Sequence, residues 1–397
     1  FLTITLPMFA KAFERSLENG KWNPSSVPGF KHRMGLPVFL RGFLIRIFDA
    51  NGVLLDEPCI DSIFAIRQLT LLFKKILLPC TPARERDAMR AFVEVEKEVE
   101  RWSWNSREDL DRFVRLSILA FADELNIVEQ DLFEGNLERT ILRAAHGPGA
   151  TADRLLGNQK YDQLEWPDRL EGFFPFAEWV IPNHHFYSVV GHVSFLDSEQ
   201  ERPVKVTPVP KTLKTPRIIA IEPTCMQFVQ QAVKNALVQV LDREAIEPLE
   251  GTDPEKGSMP RGGHHVSHKI QFVGFSRQDP NREMAKRGSE DGSFATLDMS
   301  EASDRVSNQH VIALLSRWPL LQEAVARTRS TKADVPGFGV IPLAKFASMG
   351  SALTFPLEAM VFTVATLMGI EDSRGTPLTL AEVNNLRGKV RVYGDDI

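Results

Sequence analysis

The chain is poor in cysteine. It has three among 397 residues, Cys59, Cys80 and Cys225, with no CxxC spacing. That excludes a disulfide framework and a cysteine zinc site, and it points to a reducing compartment. A surplus of positive charge is also absent. The formal net charge is −5, so a site for a polyanion would have to rest on a local field rather than on the whole surface. No basic segment followed by an apolar core and a cleavage site is present, and no signal peptide is read. The most apolar stretch, Leu353 to Ile370, is interrupted by Pro356 and Glu358. It reads as a buried core helix rather than a membrane span, and no membrane partner is expected. What the chain does contain is ordinary for a soluble globular protein: 43% hydrophobic and 25% charged residues,. At this length two or three subdomains with a sizeable core are expected. Because the chain opens on Phe1 and not Met, its N-terminus is expected to be incomplete.

The first 145 residues read as scaffold helices. Glu85 to Trp102 is a charged amphipathic helix with Met89, Phe92, Val93 and Val99 among its apolar positions. Ser106 with Asp109 three residues on resembles a helix start, and Leu110, Phe113, Leu116, Leu119 and Ala120 follow at core-facing spacing,. His146-Gly147-Pro148-Gly149-Ala150-Thr151 is a rigid turn whose glycines would let a ligand approach the backbone,. Lys205 to Arg217 then carries Lys205, Lys211, Lys214 and Arg217 with no acid. Prolines at 208, 210 and 216 keep it extended, and spaced cations on a ribbon suit a triphosphate or a nucleic-acid backbone as well as a solvated strand,. Glu222-Pro223 opens a packing helix. The Gly251 to Lys269 loop, with His264, His265 and His268, lacks the further ligands that would complete a metal site, and a mobile or RNA-facing loop is the alternative.

Two acidic groups then stand far apart in sequence. Phe294 to Asp298 alternates like a strand and ends in a carboxylate. Ser300 can cap a following helix that includes Asp304 and carries Val311, Leu314, Leu315 and Trp318 on one face,. At the chain's end Val390, Val392 and Tyr393 lead into Gly394-Asp395-Asp396, a strand followed by glycine turn chemistry,. Carboxylates brought together from two strand ends repel unless cations lie between them, and paired Mg²⁺ ions need such oxygen ligands. Between the groups, Ala347 to Thr354 is a small-residue loop ahead of the apolar helix, with Ser348 and Gly350 placed for close approach of a ligand,. The sequence stops after Ile397, so the returning strand is expected to be missing and these residues alone are expected to be inactive.

In this order the motifs resemble the RNA-directed RNA polymerase, or replicase β subunit, of the positive-strand RNA bacteriophages (the leviviruses). The residues that carry the resemblance are His146 to Thr151, Val209-Pro210-Lys211 with Lys214 and Arg217, Ile221-Glu222-Pro223, Asp291-Gly292-Ser293 through Asp298 to Asp304, Ser348-Met349-Gly350 with Thr354 to Glu358, and Tyr393 to Ile397. The resemblance implies an α+β, right-hand polymerase fold with helical fingers, an antiparallel palm sheet cut at the catalytic hairpin, and no thumb. Residues 1–145 would be the N-terminal helical or fingers region, 146–292 the fingers with the basic strand 205–217, and 293–397 the partial palm. Asp298, Asp395 and Asp396 would bind two Mg²⁺ ions, with Mn²⁺ as a substitute, and serve catalysis. Lys211, Lys214 and Arg217 would hold the nucleoside triphosphate. Asp304 would favour a ribose 2′-hydroxyl, and Ser348, Gly350 and Thr354 would line the template and nucleotide site. Implied partners are an RNA template and nascent strand, nucleoside triphosphates, host elongation factors Tu and Ts and a ribosomal protein, in the cytoplasm of an infected bacterium.

Glu358 stands where many other viral RNA polymerases carry Asn and matches the phage replicases, whereas Ser351-Ala352 departs from the Asn-Gly often seen in them. A reverse transcriptase would carry an aromatic residue at Asp304 and Ala or Met at Gly394. A narnavirus-like polymerase is a nearer alternative, against which the His146–Thr151 turn argues. A non-catalytic RNA-binding fragment is the alternative from another class.

Overall fold

A computed structural model describes residues 1–2, 4–73, 79–135, 141–212, 215–242 and 271–397. Lys214 and the Gly251 to Lys269 loop lie outside the described residues. The chain packs as two compact units, one of residues 1–90 with 208–218 and one of residues 91–207 with 219–397. In the first, helices Thr5–Glu18 and Ile60–Leu71 enclose Phe9, Phe13, Trp22, Leu36, Leu44, Phe48 and Ile66. The aromatic rings interlock there, with Phe9 5.5 Å from Trp22 and 5.2 Å from Phe30 and Phe39.

The second unit is built on buried helices, and their limits follow from the sequence. Ser106 Oγ accepts a hydrogen bond from Asp109 N–H at 3.0 Å and starts helix Arg107–Glu134. Phe113, Leu116, Ala120, Leu125 and Val128 form its buried face, and Gly135, at φ +59°, ends it with a left-handed cap,. Helix Thr224–Leu241 follows Glu222-Pro223, with Pro223 at the cap. Helix Thr354–Arg374 is long and apolar enough to cross a membrane, yet most of it is buried against the other two helices, which bears out the reading as a core helix. Near its end the buried Glu371 accepts hydrogen bonds from Arg112 Nε at 3.3 Å, from Arg115 and from Leu378 N–H at 2.6 Å. Burial alone would raise this carboxyl, but Arg115, Leu378 N–H and Arg112 together hold it below the usual glutamate range,.

The architecture mixes helices and sheet, as an α+β chain should. Among the described residues the largest sheet has four strands, in the order Arg217–Ile221, Val204–Val209, Lys332–Val335, Gly339–Pro342. It is mixed rather than antiparallel: Val204 and Lys205 pair in parallel with Ala333 and Asp334, while Ala333 pairs antiparallel with Ile341. The basic segment is not one extended ribbon. Thr212 N–H donates to Thr215 O at 3.2 Å and Thr215 N–H to Thr212 Oγ1 at 3.1 Å, so a turn separates two neighbouring strands,.

Two further readings need correction. Phe294 to Asp298 forms no regular strand, because only Leu297 and Asp298 find backbone partners among the described residues. The single helix after Ser300 is instead two, Ala302–Arg305 and Asn308–Leu314. Between them Val306 O accepts from Phe346 N–H at 2.7 Å and Asn308 N–H donates to Ala344 O at 3.1 Å, pairing that no continuous helix could make. Ser307, not Ser300, caps the second helix, accepting from Gln309 N–H at 3.2 Å, and Trp318 lies beyond it as the cap residue of helix Pro319–Thr328.

Removing Glu371 would leave two arginines and a backbone N–H without their shared acceptor. Glu371→Ala is expected to cost about 3 kcal/mol of stability, read as a lower urea midpoint at neutral pH. An unchanged midpoint would mean that the two helices are joined by apolar packing alone.

Candidate active site

Tyr393 to Asp396 forms a tight turn. Tyr393 N–H donates to Asp396 O at 2.9 Å and Asp396 N–H to Tyr393 O at 3.2 Å. Gly394, the first central residue, has φ +65°, as a hairpin turn of the primed type demands,. It has no room for a side chain either, since a Cβ there would enter the ring of Phe355. Phe355 in turn packs edge-on against Tyr393, with centroids 5.2 Å apart and planes at 81°. The incoming segment is held by Val392, whose N–H donates to Phe272 O at 2.8 Å and whose carbonyl accepts from Gly274 N–H at 3.0 Å.

The outgoing residues pair across the sequence. Leu297 N–H donates to Ile397 O at 2.9 Å and Ile397 N–H returns to Leu297 O at 3.3 Å. This exchange makes Asp298 and Asp396 a directly opposed, non-hydrogen-bonded antiparallel pair, the class whose Cα atoms lie about 4.5 Å apart with both side chains on one face. Both aspartates are exposed, as is Asp395 at the turn. Gln278 Nε2 donates to Asp396 Oδ2 at 2.7 Å.

Glu358 lies behind them, in the first turns of the core helix. It is buried, and among the described residues its Oε2 has no hydrogen-bond partner. Burial first, then the negative charges of Asp395 and Asp304, push its carboxyl up to about 8, so it is mainly protonated at neutral pH. Asp304 Oδ1 accepts from Lys345 Nζ at 3.0 Å and from Ser348 Oγ at 3.2 Å. Thr354 Oγ1 donates to Ser348 O at 2.8 Å, which closes the small-residue loop over the start of the helix. Gly350, at φ +132°, lies flat against the chain, where a Cβ would collide with the Ala220 carbonyl,. Gln230 Oε1 accepts from Ser351 Oγ at 3.0 Å and from Ala352 N–H at 3.1 Å, which fixes the part of the loop that departs from the phage pattern.

The expected site residues therefore gather in part. Asp298 faces Asp396, Asp395 and Asp304 both act on Glu358, Ser348 is tied to Asp304, and Thr354 is tied to Ser348. Lys211 and Arg217 are exposed in the other compact unit, and Lys214 lies outside the described residues. The His146 turn is held from below by the buried Lys160, whose Nζ donates to the carbonyls of Gly147 and Gly149, both at 2.5 Å. His146 packs between Tyr161 and Phe228, and burial, with Lys160 nearby, lowers it to about 4. The sequence does not mark Lys345 or Gln278, which lie in stretches without pattern, nor Gln230, a lone polar residue on the buried face of the packing helix.

Among the described residues no group of three or more His, Cys, Asp or Glu converges on a cation-sized point. The opposed pair nevertheless suits a hard cation. Like charges directly across a ladder destabilise it, and Mg²⁺ commonly takes only one or two protein carboxylates. A cleft of about 830 Å³ opens beside the pair, lined by Asp298, Asp396, Arg282, Arg287, Lys389 and Arg391.

Comparison with known proteins agrees with the resemblance. Residues 263–397 match the family described as "RNA replicase, beta-chain". The chain is 33% identical over 137 residues to the "RNA-directed RNA polymerase beta chain" of Enterobacteria phage GA and likewise to that of Escherichia phage MS2; each match covers 34% of this chain and 23% of the relative. It is 30% identical over 194 residues to the "RNA-directed RNA polymerase subunit beta" of Qbeta virus (strain MX1), covering 49% of this chain and 26% of the relative. The chain thus spans about a quarter of the length of the curated relatives it matches.

The Glu358 carboxyl has a pH signature. Its folded value of about 8 lies above the ordinary 4.5, so the folded state keeps its proton longer and stability falls as pH rises between the two. His146 and His310, both lowered to about 4 from 6.5, stop contributing above pH 6.5, and Glu222, raised to about 6, has largely titrated by then. In the absence of divalent cation the melting temperature is expected to fall from pH 6.5 to 8, and Glu358→Gln is expected to flatten that slope. An equal slope in both proteins would place the titrating group elsewhere.

Proposed function

We propose that the protein carrying this chain is an RNA-directed RNA polymerase of the phage replicase kind, which transfers nucleotides from nucleoside triphosphates to an RNA 3′-hydroxyl on an RNA template and so copies a positive-strand genome. One observation carries the reading: Asp298 and Asp396, nearly a hundred residues apart, are directly opposed on one face with Asp395 beside them, within the stretch that matches the replicase β-chain.

In this reading Asp298, Asp395 and Asp396 hold two Mg²⁺ ions, for which Mn²⁺ can substitute. Ions so held would lower the barrier by activating the attacking 3′-hydroxyl and stabilising the pyrophosphate oxygen that leaves. The chain's own residues do the rest. The Gly394 turn and the Leu297–Ile397 pairing hold the carboxylates in register, so little reorganisation is needed when the phosphates arrive. Gln278 orients Asp396. Glu358, protonated, adds no further negative charge to the cluster. Asp304 accepts from the 2′-hydroxyl of the incoming nucleotide, the group that distinguishes RNA from DNA. Ser348, Gly350 and Thr354 present a flat, hydrogen-bonded loop to template and nucleotide. Lys211, Lys214 and Arg217 hold the triphosphate and neutralise its charge. The exposed cations on the wall of the cleft, Arg282, Arg287 and Lys389, suit an RNA backbone near the acids,. Host elongation factors Tu and Ts and a ribosomal protein would complete the assembly in the cytoplasm of an infected bacterium.

The test is templated extension of RNA by the whole polymerase that carries this chain. Asp395→Asn is expected to lower incorporation at least about a thousandfold without loss of fold, and chelation of divalent cations is expected to stop the intact enzyme. Full incorporation by the Asp395→Asn protein would overturn the assignment. RNA binding without any incorporation by the intact protein would favour a non-catalytic RNA-binding role.

A further inference from the structure

The side chain of Lys345 is fully buried, which is costly for an ammonium group unless every donor is matched,. Here Nζ lies 3.0 Å from Asp304 Oδ1, 3.3 Å from Glu96 Oε2 and 3.4 Å above the centroid of the Phe92 ring. The ammonium thus donates a hydrogen bond to Asp304, lies within ion-pair distance of Glu96 and faces the ring of Phe92,. Glu96 is itself buried in helix Pro82–Arg101, and its Oε1 accepts the backbone N–H groups of Ala344 and Lys345. The lysine is therefore fixed at both its backbone and its tip. Structural need alone explains this poorly, because a well-packed apolar trio is commonly as stable as a buried ionic one.

What the cluster does is orient one exposed-facing acid. Asp304 retains 26% side-chain exposure, while Lys345 and Glu96 have 0% and 7%. Both Lys345 and Ser348 donate to its Oδ1, and among the described residues Oδ2 accepts no hydrogen bond. The carboxylate is clamped through one oxygen, which leaves the other to accept from a ligand hydroxyl.

We propose that Lys345, seated by Glu96 and Phe92, is a positioning residue that presets Asp304 for the ribose of the incoming nucleotide and thereby sets the preference for ribo- over deoxyribonucleotides. The inference rests on the polymerase reading. Lys345 touches no nucleotide; it acts by holding Asp304 in one rotamer. Losing it leaves Asp304 and Glu96 as neighbouring acids with nothing between them, so Asp304 turns away and its preset acceptor is lost.

The experiment measures kcat/KM for ATP and for dATP in the whole polymerase with Lys345→Met, Phe92→Leu and Asp304→Ala. Lys345→Met is expected to lower the ATP:dATP ratio about tenfold, chiefly through a higher KM for ATP with the KM for dATP unchanged. A merely structural lysine would lower both substrates' kcat together and leave the ratio alone. Phe92→Leu removes only the ring beneath Nζ and is expected to lower the ratio about threefold; it decides the matter if Lys345→Met fails to fold. A ratio unchanged in folded Lys345→Met, or in Phe92→Leu where the methionine variant does not fold, while Asp304→Ala abolishes it, overturns the role of Lys345 alone. A ratio unchanged in Asp304→Ala overturns the sugar-reading role on which the proposal stands.

Discussion

The mutual repulsion of acids is the constraint on which this site turns. Asp298 and Asp396 face each other across a two-residue ladder, Asp395 follows in the turn, and Glu358 lies near enough to Asp395 and Asp304 to feel both charges. Each acid meets the problem differently. Glu358 is buried and keeps its proton. Asp304 is paired with the buried ammonium of Lys345. Asp396 takes a hydrogen bond from Gln278, and the three aspartates of the ladder and turn stay exposed, where water screens them,. The unsettled remainder is the Asp298–Asp396 pair, which is where a cation would be most useful.

Close packing keeps the acids where they are. Helix Thr354–Arg374 supplies Glu358 from its buried face and Phe355 from its first turn. The Phe355 ring fills the space that a side chain at residue 394 would need, so the turn that presents Asp395 depends on a glycine for its backbone conformation and its volume alike. Gly350 repeats the arrangement at the loop, where the Ala220 carbonyl occupies the place of a Cβ and Ala220 N–H donates to Met349 O at 2.8 Å. The other end of the helix is tied down by Glu371 and its two arginines. A shift of this helix would therefore move the turn, the loop and the buried glutamic acid together.

Much of this was legible in the sequence. Ser106 as a cap, the apolar faces of the long helices and the glycine turn before two aspartates are local signals, and local hydrogen bonds and burial decide them. The helix expected after Ser300 was not legible because a tertiary demand breaks it: Val306 and Asn308 pair with residues 344–346 instead of continuing the helix. Phe294 to Asp298 has strand periodicity, but a strand needs a partner, and only its last two residues find one. Lys345 carried no signal at all, since the burial that makes it notable is created by residues some 250 positions away.

Glu96, by contrast, leaves a mark in the sequence. In Glu94-Val95-Glu96-Lys97-Glu98 it looks like one more solvated acid. Its spacing says otherwise, because Phe92, Glu96 and Val99 fall at i, i+4 and i+7 on the stripe that Met89 and Val93 share,. An acid on the buried stripe of an amphipathic helix must meet a donor once folded. Here it meets the backbone N–H groups of residues 344 and 345 and the Lys345 ammonium. The helix that sequence reading treats as scaffold thereby supplies the far end of a chain of ion pairs that runs through Lys345 to Asp304. Buried charges in scaffold elements, read against the stripe they interrupt, can thus point to the site they support before any partner is known.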